Sequence, residues 1–213
     1  MAEKLKESVS VVIPVYNERD LLGPAVKMCI DALSRDFEDF EIVLVDDGSR
    51  DGTGELMEKL AEGDKRVRVL RNIINLNAGI AVQRGMAVSE KQFVLHSAVD
   101  LPLAVEDIAG LIAKVQGCDL LVLERTSYAG YAAWRWVTSK INRLLLRLLF
   151  GGSALKDMNF TQIYRREIIP KILPLARSPA FTTPEMILRA KRLGLRVKTV
   201  PVEYRRRPSG SGA

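Results

Sequence analysis

SVSVVIPVYNE, residues 8–18, is the stretch on which the fold turns. A run rich in Val and Ile ends at Pro14 and Val15 and gives way at once to Tyr16, Asn17 and Glu18. Short β-branched runs of this kind read as buried strands. The pattern returns downstream: FEIVLVDD gives way to GSRDGT, VRVLRN to IINLNAG, FVLHS to AVDLP, and DLLVLE closes the series. Helical stretches lie between the runs, near residues 18–35, 51–62, 78–89 and 104–115. Strand and helix alternating this way imply crossover connections, so an open, mainly parallel α/β sheet, Rossmann-like, with helices on both faces is expected. Ligands of such sheets bind outside the carboxyl ends of the strands. The residues to weigh are therefore those just after each apolar run.

Composition bounds the rest. A chain of 213 residues with 47% hydrophobic content can bury a substantial core, and one domain over residues 1–213 is expected. No uncharged apolar run of about 18 residues occurs, and MAEKLKES is too charged to open a secretory signal, so the expectation is a cytoplasmic chain without a spanning segment. Cys29 and Cys118 lack CxxC spacing and read as buried thiols. The net charge of +6 conceals a division: residues 1–124 hold 14 Lys and Arg against 22 Asp and Glu, whereas residues 125–213 hold 18 against 4. The second half suits an anionic partner, with a solvated basic face as the alternative. Nothing in it resembles a nucleic-acid-binding module, so nucleic acid is not an expected partner.

Neither GxGxxG nor GxxxxGK[ST] follows the first strand, which removes the usual glycine cradle for phosphates. A nucleotide must then be held by acidic and amide side chains, with a divalent cation bridging carboxylate and diphosphate. Taken in order, VSVVIPVYNE, IVLVDDGSRDGT, NLNAGIAVQRG and VDLPLAVEDI resemble family 2 inverting glycosyltransferases of the GT-A fold. Within that group the chain is similar to the polyprenyl-phosphate glycosyltransferases, dolichyl-phosphate mannose synthases among them. DMNFTQIYRRE, FTTPEMILRAKRLGLRVKTVPVEYRRR and PSGSG resemble that subgroup's later segments. The resemblance implies transfer of a sugar from GDP-mannose or a UDP-sugar to a polyprenyl or dolichyl phosphate, with inversion at the anomeric carbon.

On the same resemblance, Pro14, Tyr16, Asn17 and Glu18 form the first donor loop, and Asp46, Asp47 and Gly48 the second, its acids engaging base and ribose. Asn77, Gly79 and Arg84 belong to a loop and helix lying under the donor. Local roles compete: Asn17 and Asn77 can cap helices, and Asp51 can cap the helix after DDGS. Ala98, Val99 and Asp100 stand where the family carries an Asp-x-Asp pair that holds Mg²⁺ or Mn²⁺ against the diphosphate. The first acid is replaced, which leaves Asp100 as the expected metal carboxylate and puts turnover in question. Three readings stay open: replacement by design, a natural variant using Asp100 and substrate oxygens, or a binding relative without catalysis. The completeness of the other motifs favours the first two. His96, the only histidine, is expected to be a hydrogen-bonded structural residue rather than a ligand.

Residues 125–150 combine Tyr128, Tyr131, Trp134 and Trp136 with Arg135, Lys140, Arg143 and Arg147. This mixture suits a helix lying in an anionic membrane surface, with a packed amphipathic helix as the alternative. An acceptor phosphate monoester, with a second pKa of about 6, needs positioning and charge neutralisation more than a strong base. Arg125, Arg205, Arg206 and Arg207 are the expected acceptor or diphosphate contacts, and Arg135 joins Asp100 as an expected catalytic residue by resemblance. Asp157 is expected either to partner a cation or to serve a turn, and Gln162 gives up a charge that relatives direct at phosphate. These features imply a peripheral location on the cytosolic face of a membrane. A soluble glycan acceptor, or nucleotide-sugar binding without catalysis, are the competing readings.

Overall fold

The computed structural model describes residues 3–126, 157–173 and 181–203. Their strands form one seven-stranded sheet in the order β3-β2-β1-β4-β6-β5-β7. These are β1 (Val9–Val15), β2 (Phe40–Asp46), β3 (Val67–Arg71), β4 (Phe93–His96), β5 (Leu120–Arg125), β6 (Gln162–Arg165) and β7 (Val197–Val202). The helices are α1 (Arg19–Asp36), α2 (Thr53–Gly63), α3 (Ala78–Val88), α4 (Ile108–Val115), α5 (Ile169–Ile172) and α6 (Thr182–Arg192). Every expected strand and helix of the first half is present, within a few residues of its expected bounds. Among the described residues, no helix is long and apolar enough to cross a membrane.

Alternation along β1 builds two cores. Val9, Val11, Ile13 and Val15 pack with α1, α2 and α4 on one face, while Val12 joins Ala81, Met86 and Ile187 on the other. Helix α3 lies close against the sheet because Gly85 has no side chain: a Cβ there would sit 2.3 Å from a Val12 methyl.

One strand departs from the parallel pattern. β6 pairs antiparallel with both β4 and β5 and separates them. Its first residue, Gln162, is fully buried. Its Nε2 donates to the carbonyls of Met158 (3.0 Å) and Phe160 (3.1 Å), and its Oε1 accepts from the Tyr164 hydroxyl. Gln162, expected to give up a phosphate-directed charge, is thus a buried amide whose hydrogen bonds are spent within the fold.

At the amino end of the sheet, Glu41 is only 3% exposed. Its Oε1 accepts from Ser10 Oγ (2.6 Å) and Glu90 N (2.6 Å), and Oε2 accepts from Arg68 (2.8 Å). Burial opposes ionisation of this carboxyl, yet the hydrogen bonds from Ser10, Glu90 and Arg68 outweigh it and hold the pKa below the usual range. Glu41→Gln is expected to cost about 3 kcal/mol in urea unfolding, because Arg68 and Ser10 lose an ionised partner. The carboxylate's contribution is complete above its unfolded pKa of about 4.3. It is lost as pH falls through the lower folded value, so acid unfolding of the variant should be less steep than that of the parent.

Candidate active site

The loops that follow β1, β2, β3 and β4 meet at the carboxyl rim of the sheet. Register places Val15 opposite Asp46 on one side and Val12 opposite His96 on the other. β4 thus leaves the sheet at the level of Val12, while β1 continues to Val15. The first two loops are stitched together: Asn17 N donates to Ser49 Oγ (3.0 Å), Arg50 N to Asn17 Oδ1 (2.9 Å) and Glu18 N to Thr53 Oγ1 (3.1 Å). Asn17 therefore braces the second loop. Asp51, offered as a cap for α2, stands one residue before its N-cap Gly52 and instead closes the turn there, accepting from Thr53 N (3.0 Å). Burial would raise its pKa, but the bonds from Thr53 and the Arg19 backbone prevail and lower it.

Backbone strain collects at the same rim. Among the described residues, the non-glycine residues with positive φ are Asn17 (51°), Asn77 (79°) and Leu101 (45°), one in each of the loops after β1, β3 and β4. The loop after β2 uses Gly48 (φ 81°), where a Cβ would lie 2.6 Å from the Ile74 carbonyl carbon. Left-handed backbone is costly for side-chain-bearing residues and tends to gather where a ligand is gripped.

The two aspartates differ in role. Asp46, 1% exposed, accepts from Ser49 N through Oδ1 (2.9 Å). Arg71 Nε lies 3.3 Å from its Oδ2, close enough for charge compensation but without an aligned hydrogen bond. Asp47 Oδ1 instead accepts from Asn72 Nδ2 (2.7 Å) and Leu76 N (2.9 Å), and Asn72 Oδ1 accepts from Arg84. Asp47 and Arg84 thus hold the loop before α3 through Asn72, a residue the sequence reading missed. Asn77 Oδ1 caps α3 by accepting from Ile80 N (3.2 Å). Tyr16 is half exposed at the rim, and Ile73 and Ile74 project into solvent beside Gly48.

A cavity of about 250 Å³ opens where β4 has left the sheet. Pro14, Gly79, Ala98, Asn159 and Thr183 line it, together with His96. Ala98 is exposed, and Leu101 N donates to its carbonyl (3.0 Å), closing the turn that carries Asp100. His96 is not the hydrogen-bonded residue expected: its Nδ1 is buried and has no partner among the described residues. Burial pushes the imidazole pKa down to about 4, so the ring is neutral near pH 7. Asp46 Oδ2 and His96 Nδ1 are the buried side-chain polar atoms left unsatisfied among the described residues, and both belong to this rim.

Among the described residues, no three His, Cys, Asp or Glu side chains gather as a metal site. Half-buried Asp100 is the one acid in the turn at 98–101. One carboxylate meets the minimum for a Mg²⁺- or Mn²⁺-type ion that draws its other oxygens from a diphosphate and water. It does not make a site able to hold such an ion in advance.

Arg125, an expected acceptor contact, is gripped by buried Asp157, with Nε 2.6 Å from Oδ2 and Nη2 2.9 Å from Oδ1. Asp157 thus partners a cation, as one of its two expected roles had it. Arg125 also lies over the Phe160 ring at 5.1 Å. Arg135, Arg205, Arg206, Arg207 and the aromatic residues between 128 and 136 lie outside the described residues. Asn159, Thr182 and Thr183 were not read as site residues. FTTPE, a helix start with two hydroxyls before a proline, was the signal available.

A mainly parallel sheet with an acidic and amide rim, and no glycine phosphate cradle, defines a GT-A-type α/β fold. The family model for glycosyl transferase family 2 matches residues 10–173. The chain belongs to that family. It is 34% identical over 177 residues, 81% of this chain, to the undecaprenyl-phosphate 4-deoxy-4-formamido-L-arabinose transferase of Pseudomonas savastanoi pv. phaseolicola. The corresponding Pseudomonas fluorescens transferase is 33% identical over the same share of this chain. The matches cover 52% and 51% of those proteins, so the chain spans about half the length of the curated relatives it matches. Glucosyl-3-phosphoglycerate synthase from Mycobacterium tuberculosis, solved with Mn²⁺, UDP and glucosyl-3-phosphoglycerate, shares the fold: TM-score 0.66 and 23% identity, over 95% of this chain and 73% of that one. S. aureus TarS aligns at TM-score 0.59 and 20% identity, over 92% of this chain and 36% of that one.

Gly48→Ala is expected to lose about 1–3 kcal/mol of stability, read as a lowered urea midpoint, because the new Cβ meets backbone and the left-handed φ becomes strained. The His96 ring should remain neutral in nitrogen NMR spectra until the pH approaches about 4. Since an unfolded imidazole titrates near 6.5, the unfolded state binds the extra proton. Stability should therefore fall as the pH is lowered from about 6.5 towards 4.

Proposed function

We propose that this chain transfers a sugar from a nucleotide-sugar donor to the phosphate of a polyprenol. The observation that carries the reading is the gathering, among the described residues, of both unsatisfied buried polar atoms and all three non-glycine residues with positive φ at the rim where the family motifs end. The names of the relatives support a polyprenyl-phosphate acceptor. In the transfer, an acceptor phosphate oxygen forms the new bond to the anomeric carbon from the face opposite the leaving group. The bond from that carbon to the diphosphate oxygen breaks, and the nucleoside diphosphate departs with the electron pair.

The residues divide this work. Tyr16 and Asp46 receive base and ribose, and Asp47 with Arg84 holds the loop that closes beside them. Asp100 would hold a divalent ion that arrives with the donor; such an ion supplies neutralisation of the charge growing on the leaving diphosphate. Arg125, fixed by Asp157, serves the acceptor phosphate, and Arg135 and Arg205–Arg207, outside the described residues, are the further cations that the sequence offers to it. The acceptor then needs no strong base, since its phosphate is already ionised.

Two measurements test this. Thermal-shift titration with UDP-glucose, GDP-mannose, UDP and GDP, with and without Mn²⁺, is expected to reveal stabilisation by at least one nucleotide; none would refute donor binding. Transfer to dolichyl or undecaprenyl phosphate is then compared with transfer to soluble glycans. Preference for a soluble glycan would overturn the lipid reading. Ala98→Asp should raise Mn²⁺-dependent transfer at least tenfold by restoring the second carboxylate. An unchanged rate and unchanged metal affinity would count against Asp100 as a metal ligand.

A further inference from the structure

The loop between β3 and α3 turns its apolar side chains to water. Ile73 is 100% exposed and Ile74 62%, the two largest exposures of any bulky apolar side chain among the described residues. The exposure sits on a fixed backbone. A single oxygen, Asp47 Oδ1, accepts from Asn72 Nδ2 just before the pair and from Leu76 N just beyond it. A Cβ at Gly48 would lie 2.6 Å from the Ile74 carbonyl carbon, so the loop after β2 buttresses this one. Cations surround the pair. Arg84 donates to Asn72 Oδ1, Arg19 opens α1 and Arg50 lies in the loop after β2; all three are exposed, and none forms an ion pair among the described residues. Arg71, two residues before Ile73, is exposed too but shares its charge with Asp46, Glu55 and Glu58. Asp20 and Asp51 are the exposed acids of the same stretches, and Asp51 is already bonded to Thr53.

We propose that this loop is a membrane anchor: Ile73 and Ile74 enter the boundary between headgroups and acyl chains of an anionic bilayer, and the arginines around them meet its phosphates. The inference rests on the polyprenyl-phosphate reading above, because an acceptor held in a bilayer offers its phosphate only at the surface. A rim set down there meets that phosphate without drawing the tail out of the lipid. The size of the patch favours lipid over a protein partner. A stable protein interface buries about 800 Å² on each side, far more than two side chains at a loop tip present. A bilayer has no fixed shape to match, and exposed side chains pass into it without any repacking of the protein. Each isoleucine moved out of water strengthens partitioning about tenfold or more. The long arginine side chains can keep their charge among the headgroups while the loop tip goes deeper. A backbone already fixed by Asp47 incurs little ordering cost on entry.

Both native cysteines, Cys29 and Cys118, are buried, so a polarity-sensitive dye can be attached selectively at Ile73→Cys. The full chain is mixed with phosphatidylcholine vesicles, with and without phosphatidylglycerol. Emission is expected to shift to the blue with the anionic vesicles and to be quenched by nitroxides placed on their acyl chains. The same dye at Leu193→Cys is the control. Leu193 is exposed where α6 ends, whereas α6 begins at the rim, so a dye there should stay in water. No shift at position 73, or the same shift at both positions, would overturn the proposal, as would equal binding to vesicles without phosphatidylglycerol. The double variant Ile73→Ser, Ile74→Ser should sediment with anionic vesicles about tenfold more weakly, while its nucleotide affinity and its transfer to polyprenyl phosphate in detergent stay within about twofold. Unchanged vesicle binding would show that other residues anchor the chain, and a matching loss of nucleotide affinity would assign the loop to the donor. Either result overturns the anchor. So would light scattering that shows a dimer in the parent and a monomer in the double variant, since the patch would then join two copies. Failure of the parent to transfer to polyprenyl phosphate in detergent would instead refute the acceptor reading, with the vesicle results still deciding the anchor.

Discussion

The architecture depends on one register: β4 meets β1 only as far as Val12, opposite His96, while β2 accompanies β1 to Val15, opposite Asp46. Parallel pairing brings strand ends to one rim, but equal strand lengths would have left that rim flat. The early exit of β4 creates a step. Pro14 overhangs the step on one side, α3 closes it from above because Gly85 lets the helix approach, and the 98–101 turn forms its outer wall. The cavity is thus a consequence of hydrogen-bond register rather than of any loop's particular shape.

The rim carries costs that the opposite end of the sheet does not. At the amino end, buried Glu41 has its charge answered by Arg68, with Ser10 and the Glu90 backbone completing its hydrogen bonds. At the carboxyl end, Asp46 Oδ2 has Arg71 nearby but no aligned donor, and His96 Nδ1 has no partner among the described residues. Three non-glycine residues there also adopt left-handed backbone. Unmet hydrogen bonds and strain are tolerated where a ligand supplies the missing partner. The asymmetry between two ends of the same strands marks the carboxyl rim as the candidate site without reference to any motif.

Much of this was legible in the sequence. The strands of the first half could be read because each apolar run stops abruptly at Tyr16, Asp46, Asn72 or Ser97, and those stops lie close to where the chain leaves the sheet. β6 was not legible: QIYR is short, and buried Gln162 passes for a surface residue until its amide is seen bonded to Met158 and Phe160. The partnership of Arg125 with Asp157, separated by 32 residues, had a hint in composition but no local pattern. His96 was misjudged for a general reason. Histidine at a strand end says nothing about what packs around it, and only the convergence of β4, α3 and α6 reveals that Nδ1 is enclosed and unmet.

The replacement at position 98 therefore changes more than a metal ligand. Two carboxylates two residues apart repel one another and gain from a cation between them; a lone, half-exposed Asp100 has no such neighbour to repel it. Removing the first acid lowers the demand for a cation before the donor arrives and removes a negative charge from the wall of the neighbouring cavity. A neutral imidazole with an unmet nitrogen is compatible with such a wall. Beside a carboxylate it would be drawn towards protonation, since a nearby negative charge raises an imidazole's pKa. Ala98 and His96 are in this sense one feature: the absence of charge at the first leaves burial to keep the second neutral.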